Sequence, residues 1–209
     1  MAKPKHEAVN ADAARGVIAG DGTLKARIER AALTLFAERG VDGITTKQIA
    51  AAAGASEGAI YRHYPSKDAL AEALFFTIHD RLTGLVRAAA REGDDISEKA
   101  GAIVKAYCKT ADDDWPLFSY HALSLHRFLR KGDKKTDDPV KATEDIVKGA
   151  MKSGEIPKGD AALLAAMALG VVLQPAAHKA YGLIEGPLSA HTDDFTRAVT
   201  AILRRKKKS

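Results

Sequence analysis

Residues 24–74, LKARIERAALTLFAERGVDGITTKQIAAAAGASEGAIYRHYPSKDALAEAL, hold three short helical patterns separated by turns of a few residues. Such tight segmentation restricts the segment to a small cluster of crossing helices. In the first pattern Leu24, Ile28, Ala31, Ala32, Leu35 and Phe36 recur at three and four residues and form an apolar stripe that Gly40 ends. Thr45-Thr46-Lys47-Gln48 has the T-x-x-Q spacing of a capping box, so a second helix starts there and runs to about Ala53. Gly54 makes the next turn, and Ser56 is positioned to cap a third helix through about His63. Pro65-Ser66 stops that helix and starts a fourth. The alanines at 50, 51, 52 and 53 permit a close crossing, as a helix-turn-helix requires. Ile49, Ala50, Ile60 and Tyr64 are assigned to the core of this head.

Several of these signals coincide with a known pattern. Ala32, Leu35, Phe36 and Gly40, then Thr45-Thr46, Ile49-Ala50 and Ala53-Gly54, and finally Gly58-Ala59-Ile60-Tyr61-Arg62-His63-Tyr64 with Pro65-Ser66-Lys67-Asp68-Ala69-Leu70 stand in matching order. The stretch resembles the N-terminal domain of the TetR family of bacterial transcriptional regulators, over roughly a quarter of the chain. The resemblance implies an all-α protein: a three-helix helix-turn-helix head, with a helical C-terminal domain for ligand binding and dimerisation. The expected divisions are a flexible arm at 1–22, the DNA-binding head at 23–67, the helical regulatory and dimerisation domain at 68–204 and a basic tail at 205–209.

Carried over position by position, the resemblance gives Thr46 and Lys47 to the opening of the second helix, where free amides and the helix dipole favour a phosphate. Tyr61, His63 and Lys67 fall at backbone-gripping positions, and Glu57, Gly58, Ala59 and Arg62 at positions near the base edges. Arg can pair bidentately with guanine, Glu can accept from cytosine and Ala can touch a thymine methyl. Glu57 has a second reading, as a first-turn acid that complements the helix dipole without DNA.

The rest of the chain reads as helices over about 66–91, 96–111, 116–130, 139–152 and 160–181 with a final one around Phe195 to Leu203, and a polar loop at 131–138. Aromatic residues make up six per cent of the chain and no run alternates with period two, which disfavours a sheet protein. The fourth helix is long enough to act as a lever between head and body. The helix from Asp160 to Tyr181 is apolar nearly all round in its first half, so it is expected to be buried on most sides, with a kink at Pro175. By the resemblance, the last two helices of two subunits pack as a homodimer interface.

Two stripes in the body are candidate walls for a small hydrophobic or amphipathic ligand. One carries Trp115, Phe118 and His121 with Leu125 and Phe128; the other carries Gln174, His178 and Tyr181 with Met167 and Val171. For any single residue of either stripe the favoured reading is ordinary core or dimer interface, because apolar helical stripes are the general rule.

Positive charge lies at the ends. Residues 1–67 carry ten Lys or Arg against seven Asp or Glu, residues 204–209 five against none, and the body seventeen against twenty. Lys3, Lys5 and Arg15 either touch phosphates or belong to a solvated arm, and the basic tail reads as a solvated end. The lone Cys108 excludes an intramolecular disulfide and, with Val104, Tyr107 and Ala111 at helical spacing, reads as a small buried hydrophobe. There is no apolar signal segment, and the segment 161–177 is short and interrupted for a membrane span, so a cytoplasmic protein without membrane contact is expected. No HExxH, Gly-rich phosphate loop or G-x-S-x-G elbow occurs, so no catalytic residue, metal site or cofactor is expected.

The resulting expectation is a homodimer that binds a palindromic double-stranded operator, acts as a repressor and is released by a small molecule. Two further readings use the same residues. One is a helix-turn-helix regulator governed by a protein partner or constitutive; the other is a helical enzyme with a degenerate head, for which His121 or His178 would be tested.

Overall fold

The computed structural model describes residues 22–129 and 138–205. The expectations for the arm before Gly22, for most of the polar loop at 131–138 and for the last four residues of the basic tail lie outside the described residues. The described residues form nine α-helices and one short 3-10 turn, with no strand among them. They divide into two compact units, the first running to Ile78 and taking in Ser124–Leu129, the second holding His79–Leu123 and the chain after residue 129. The first unit therefore extends past residue 67, where the head was expected to end.

In the first unit α1 spans Leu24–Arg39, α2 Thr46–Ala53 and α3 Glu57–His63. Local chemistry fixes each start. Thr23 accepts from the Ala26 amide, Thr45 and Gln48 form the reciprocal capping box, and Ser56 accepts from the Ala59 amide. The turn between α2 and α3 needs Gly54, which sits in the left-handed region at φ 60°. α1 buries Ile28, Ala32, Leu33 and Phe36 and packs on α2, which buries Ile49 and Ala50, and on α3, which buries Ile60. One polar group lies in this core. The Glu29 carboxylate, almost wholly buried, accepts from the Tyr64 hydroxyl and lies 3.6 Å from the Lys25 ammonium.

α4 spans Lys67–Ala89 and α6 spans Trp115–Phe128, and each contributes residues to both units. In the second unit α5 (Ile96–Asp113), α7 (Pro139–Ser153), α8 (Ala161–Ala180) and α9 (Thr192–Arg204) complete the helices. Asp95, Asp138 and Asp160 cap α5, α7 and α8. Asp112 holds the 3-10 turn Leu188–His191 by accepting from the Leu188 and Ser189 amides. Helices α7 and α9 both pack on α8, and α9 packs on α5. Cys108 is fully buried, as expected, and burial raises its thiol pKa.

α8, which includes Pro175, departs from expectation in its burial. Only one side is buried, by Leu164, Ala165, Ala168, Leu169, Val172 and Ala176. Ala162, Leu163 and Ala166 face outward, with Leu163 49% exposed. Composition gives an apolar helix the capacity to be covered all round, but a single chain supplies neighbours on one side only. By length and composition α8 is also the one helix among the described residues able to cross a membrane, and its inward face is instead part of the second unit's core.

Candidate nucleic-acid interface

The amino-terminal turn of α2 and the first turns of α3 present most of the predicted DNA-facing residues on the head's surface. Lys47, Glu57, Gly58, Tyr61, Arg62 and His63 are exposed, and Thr46 is half-buried. Three of them are joined. The Thr46 hydroxyl donates to Glu57 Oε2 at 2.8 Å and lies 3.5 Å from the Tyr61 hydroxyl, so the start of α2 is tied to the start of α3. Glu57 thus has a partner inside the head besides its position in a helix's first turn.

Gly58 is exposed, in ordinary helical conformation, and a methyl built on it would meet only the Ser56 hydroxyl oxygen, at 4.0 Å. Nothing among the described residues requires glycine at this position.

Two carried-over residues stand elsewhere. Ala59 is 4% exposed and packed in the head's core, so its methyl is not available to a base edge. The α3 face that carries Ala59 and Ile60 turns inward, while Glu57, Gly58, Tyr61 and Arg62 turn outward. The Lys67 ammonium is half-buried and donates to the carbonyls of Val41 and Ile44, both at 2.7 Å. Two of its three protons are committed to the loop between α1 and α2, so its first role is to hold that loop.

In the second unit the predicted ligand residues do not converge. Phe118 and His121 are buried, Trp115 is half-buried beneath the Lys179 ammonium, and Gln174, His178 and Tyr181 are exposed, Tyr181 to 67%. His121 Nε2 and His79 Nδ1 are 2.9 Å apart, so one imidazole donates and the other accepts. Burial, reinforced by repulsion from His79, pushes the His121 pKa down to about 3.

A partly open apolar cavity of about 40 Å³ lies instead among α5, α7, α8 and α9, lined by residues that include Val104, Tyr107, Thr143, Val147, Leu169 and Val199. None of the six predicted ligand residues lines it. The stripe running from Met167 to Tyr181 is the outward side of α8, whereas the cavity takes Ala168, Leu169 and Val172 from its inward side. Thr143 commits its hydroxyl to the Pro139 carbonyl. Tyr107 is buried and edge-on to Phe118, and burial alone raises its phenol pKa. Among the described residues no group of three His, Cys, Asp or Glu is placed to hold a metal.

A family profile described as bacterial regulatory proteins, tetR family, matches residues 28–74. The nucleoid occlusion factor SlmA of Actinobacillus pleuropneumoniae is 40% identical over 70 residues, covering 34% of this chain and 35% of that protein. The SlmA of Citrobacter koseri is 35% identical over 77 residues, covering 37% and 39%. The chain thus spans little more than a third of the length of these relatives. Among solved structures, the fatty acid degradation regulator FadR of Bacillus halodurans superposes with a TM-score of 0.70 at 21% identity, covering 86% of this chain and 96% of that one. FadR of Bacillus subtilis in complex with stearoyl-CoA gives 0.65 at 19% identity, covering 85% and 96%. PfmR of Thermus thermophilus, a TetR family transcriptional regulator, gives 0.66 at 18%, covering 87% and 100%. At these identities the structures are alike in fold.

Proposed function

We propose that the chain, whose residues 28–74 match the profile of the tetR family of bacterial regulatory proteins and whose all-helical fold is that of TetR family structures, is a sequence-specific DNA-binding regulator of transcription, acting as a homodimer in the cytoplasm. The observation that carries this reading is the head itself. A capped α2 offers its amino-terminal turn with Thr46 and Lys47, and α3 lays Gly58, Tyr61, Arg62 and His63 on the surface beside it. Lys47 and the α2 amides suit a phosphate; Arg62 is the side chain suited to a guanine edge.

The outward face of α8, with Leu163 and Tyr181, supplies apolar surface for a second copy. Two heads in such a dimer read half-sites about one helical turn apart, ~34–36 Å, and favour an inverted repeat. Repression and its release by a ligand belong to the same proposal. The cavity around Tyr107 is the place for the ligand, and its lining favours an aliphatic chain with one polar group for the phenol. A neighbour of the same fold holds stearoyl-CoA, which makes a long-chain acyl thioester the first compound to try. A ligand larger than the cavity must part the helices around it, and release follows only if it binds the DNA-free state more tightly.

The test is selection of bound fragments from a random duplex pool at near-physiological salt, where non-specific attraction is weak. Enrichment of an inverted repeat is expected and supplies the probe for ligand displacement. A folded dimer that enriches nothing, with or without acyl thioester, would refute sequence-specific regulation.

A further inference from the structure

Residues 41–44, the loop that leads into α2, are fixed by two cations that come from far along the chain within the first unit. Lys67 takes the Val41 and Ile44 carbonyls. The Arg127 guanidinium takes both oxygens of Asp42, Nη1 to Oδ2 at 2.8 Å and Nη2 to Oδ1 at 3.0 Å, and Nη2 also reaches Asp68 Oδ1 at 2.8 Å. The Asp42 and Asp68 side chains are 82% and 68% exposed, so these bonds add little to global stability. What a two-pronged Arg–carboxylate bond supplies is direction, because the planar fork accepts the carboxylate in one geometry. The fork is itself seated: Phe128, next to Arg127, packs on Phe75 with ring centroids 4.9 Å apart. Thr45, the cap of α2, follows Ile44 directly, so the pose of this loop is the pose of the turn that carries Thr46 and Lys47.

We propose that Arg127 is a positioning residue of the DNA interface: through Asp42 it sets the direction in which the first turn of α2 meets the phosphate backbone, without touching DNA itself. This rests on the DNA-binding reading above. It extends the functional residues to a segment more than eighty positions from the loop it holds.

The experiment compares the full chain with Arg127→Ala, Asp42→Ala, the double variant and Arg127→Lys. The probe is a labelled duplex carrying the enriched repeat or, if none enriches, a mixed-sequence duplex at low salt. Each single alanine variant should bind about fivefold to tenfold more weakly and the double variant no more weakly than Arg127→Ala, because Arg127→Ala already breaks the contact to Asp42. The slope of log affinity against log salt should stay at the wild-type value, since no phosphate contact is lost. Lysine should restore only part of the affinity, a point charge being unable to span both oxygens. In the free protein, amide exchange should quicken at Gln48 and Ile49, the first hydrogen-bonded amides of α2, and not in α5. A salt slope reduced by about one would mean that Arg127 contacts a phosphate, and unchanged affinity, or exchange quickened throughout, would equally overturn the proposal. If wild-type binds neither duplex, the DNA-binding reading fails and this one with it. If wild-type binds and Arg127→Ala matches it, this proposal alone fails.

Discussion

Replacing Gly58 by alanine should stabilise the protein and weaken its grip on DNA, and the opposite signs make the change informative. Gly58 is the second residue of α3, its backbone is helical, and a methyl there has only the Ser56 oxygen nearby at 4.0 Å. No contact opposes the added atom. Glycine in a helix costs about 0.5–1 kcal/mol relative to alanine, chiefly through backbone entropy in the unfolded chain. In the first turn the lower end applies, and for a chain of this size it raises the midpoint of thermal unfolding by ~1–2 °C. On DNA the same methyl stands on an exposed turn between Glu57 and Tyr61. If the duplex comes up to the α3 backbone there, the methyl must be accommodated in a close-packed interface at ~1–3 kcal/mol, or roughly fivefold to a hundredfold in affinity. Circular dichroism melts and fluorescence anisotropy on one preparation give both numbers. Added stability with full affinity would refute the close approach at Gly58; no added stability would refute the propensity argument.

Tyr64→Phe should cost ~1–3 kcal/mol in denaturant unfolding, because it leaves a buried Glu29 carboxylate without its hydroxyl donor; a loss under about 0.5 kcal/mol would show that water replaces the hydroxyl. Acid should destabilise the second unit through His121. Above about pH 6.5 the imidazole is neutral both folded and unfolded and contributes no pH dependence. Below that the unfolded chain takes up a proton that the folded chain refuses until about pH 3, so stability falls by ~1.4 kcal/mol per pH unit across the window. Unfolding midpoints from pH 7 to 4 should therefore shift more for wild-type than for His121→Gln, and equal shifts would count against the buried neutral imidazole. Leu163→Glu places a charge on the outward face of α8 and should convert the proposed dimer to monomer in sedimentation velocity while leaving the helical spectrum intact; a dimer that survives would move the interface elsewhere.

The head was legible because its signals are local. A threonine three residues before a glutamine, a glycine at the turn and a serine before the next helix each act within four residues, and each lies where the spacing placed it. The misplacements arise where local spacing is silent. Ala59 and Gly58 are adjacent small residues, and only the crossing of α1, α2 and α3 decides that Ala59 turns inward. α8 offers two apolar sides at helical spacing, and periodicity alone does not say which one the fold covers. Tyr107 was readable as core from its spacing with Val104 and Ala111, but its place on a cavity depends on three other helices. Nothing near Asp42 in sequence announces Arg127.

Both units have apolar cores, but the start of α2 is tied to its neighbours by interactions of a different kind. In the second unit Leu169, Val172, Val199 and Leu203 are buried, and such apolar area stabilises at ~25 cal/mol per Å² whatever the details of direction. At the proposed DNA face the bonds are few and polar: Thr46 to Glu57 and Arg127 to Asp42, both exposed, and Lys67, half-buried, to two carbonyls. The exposed ones add little to stability, since water competes for them. Their effect is on angle, because each links the start of α2 to a different element: Glu57 to α3, Lys67 to α4 and Arg127 to α6. A helix that meets a phosphate through its amide groups needs those amides aimed, and contacts to three different elements aim it.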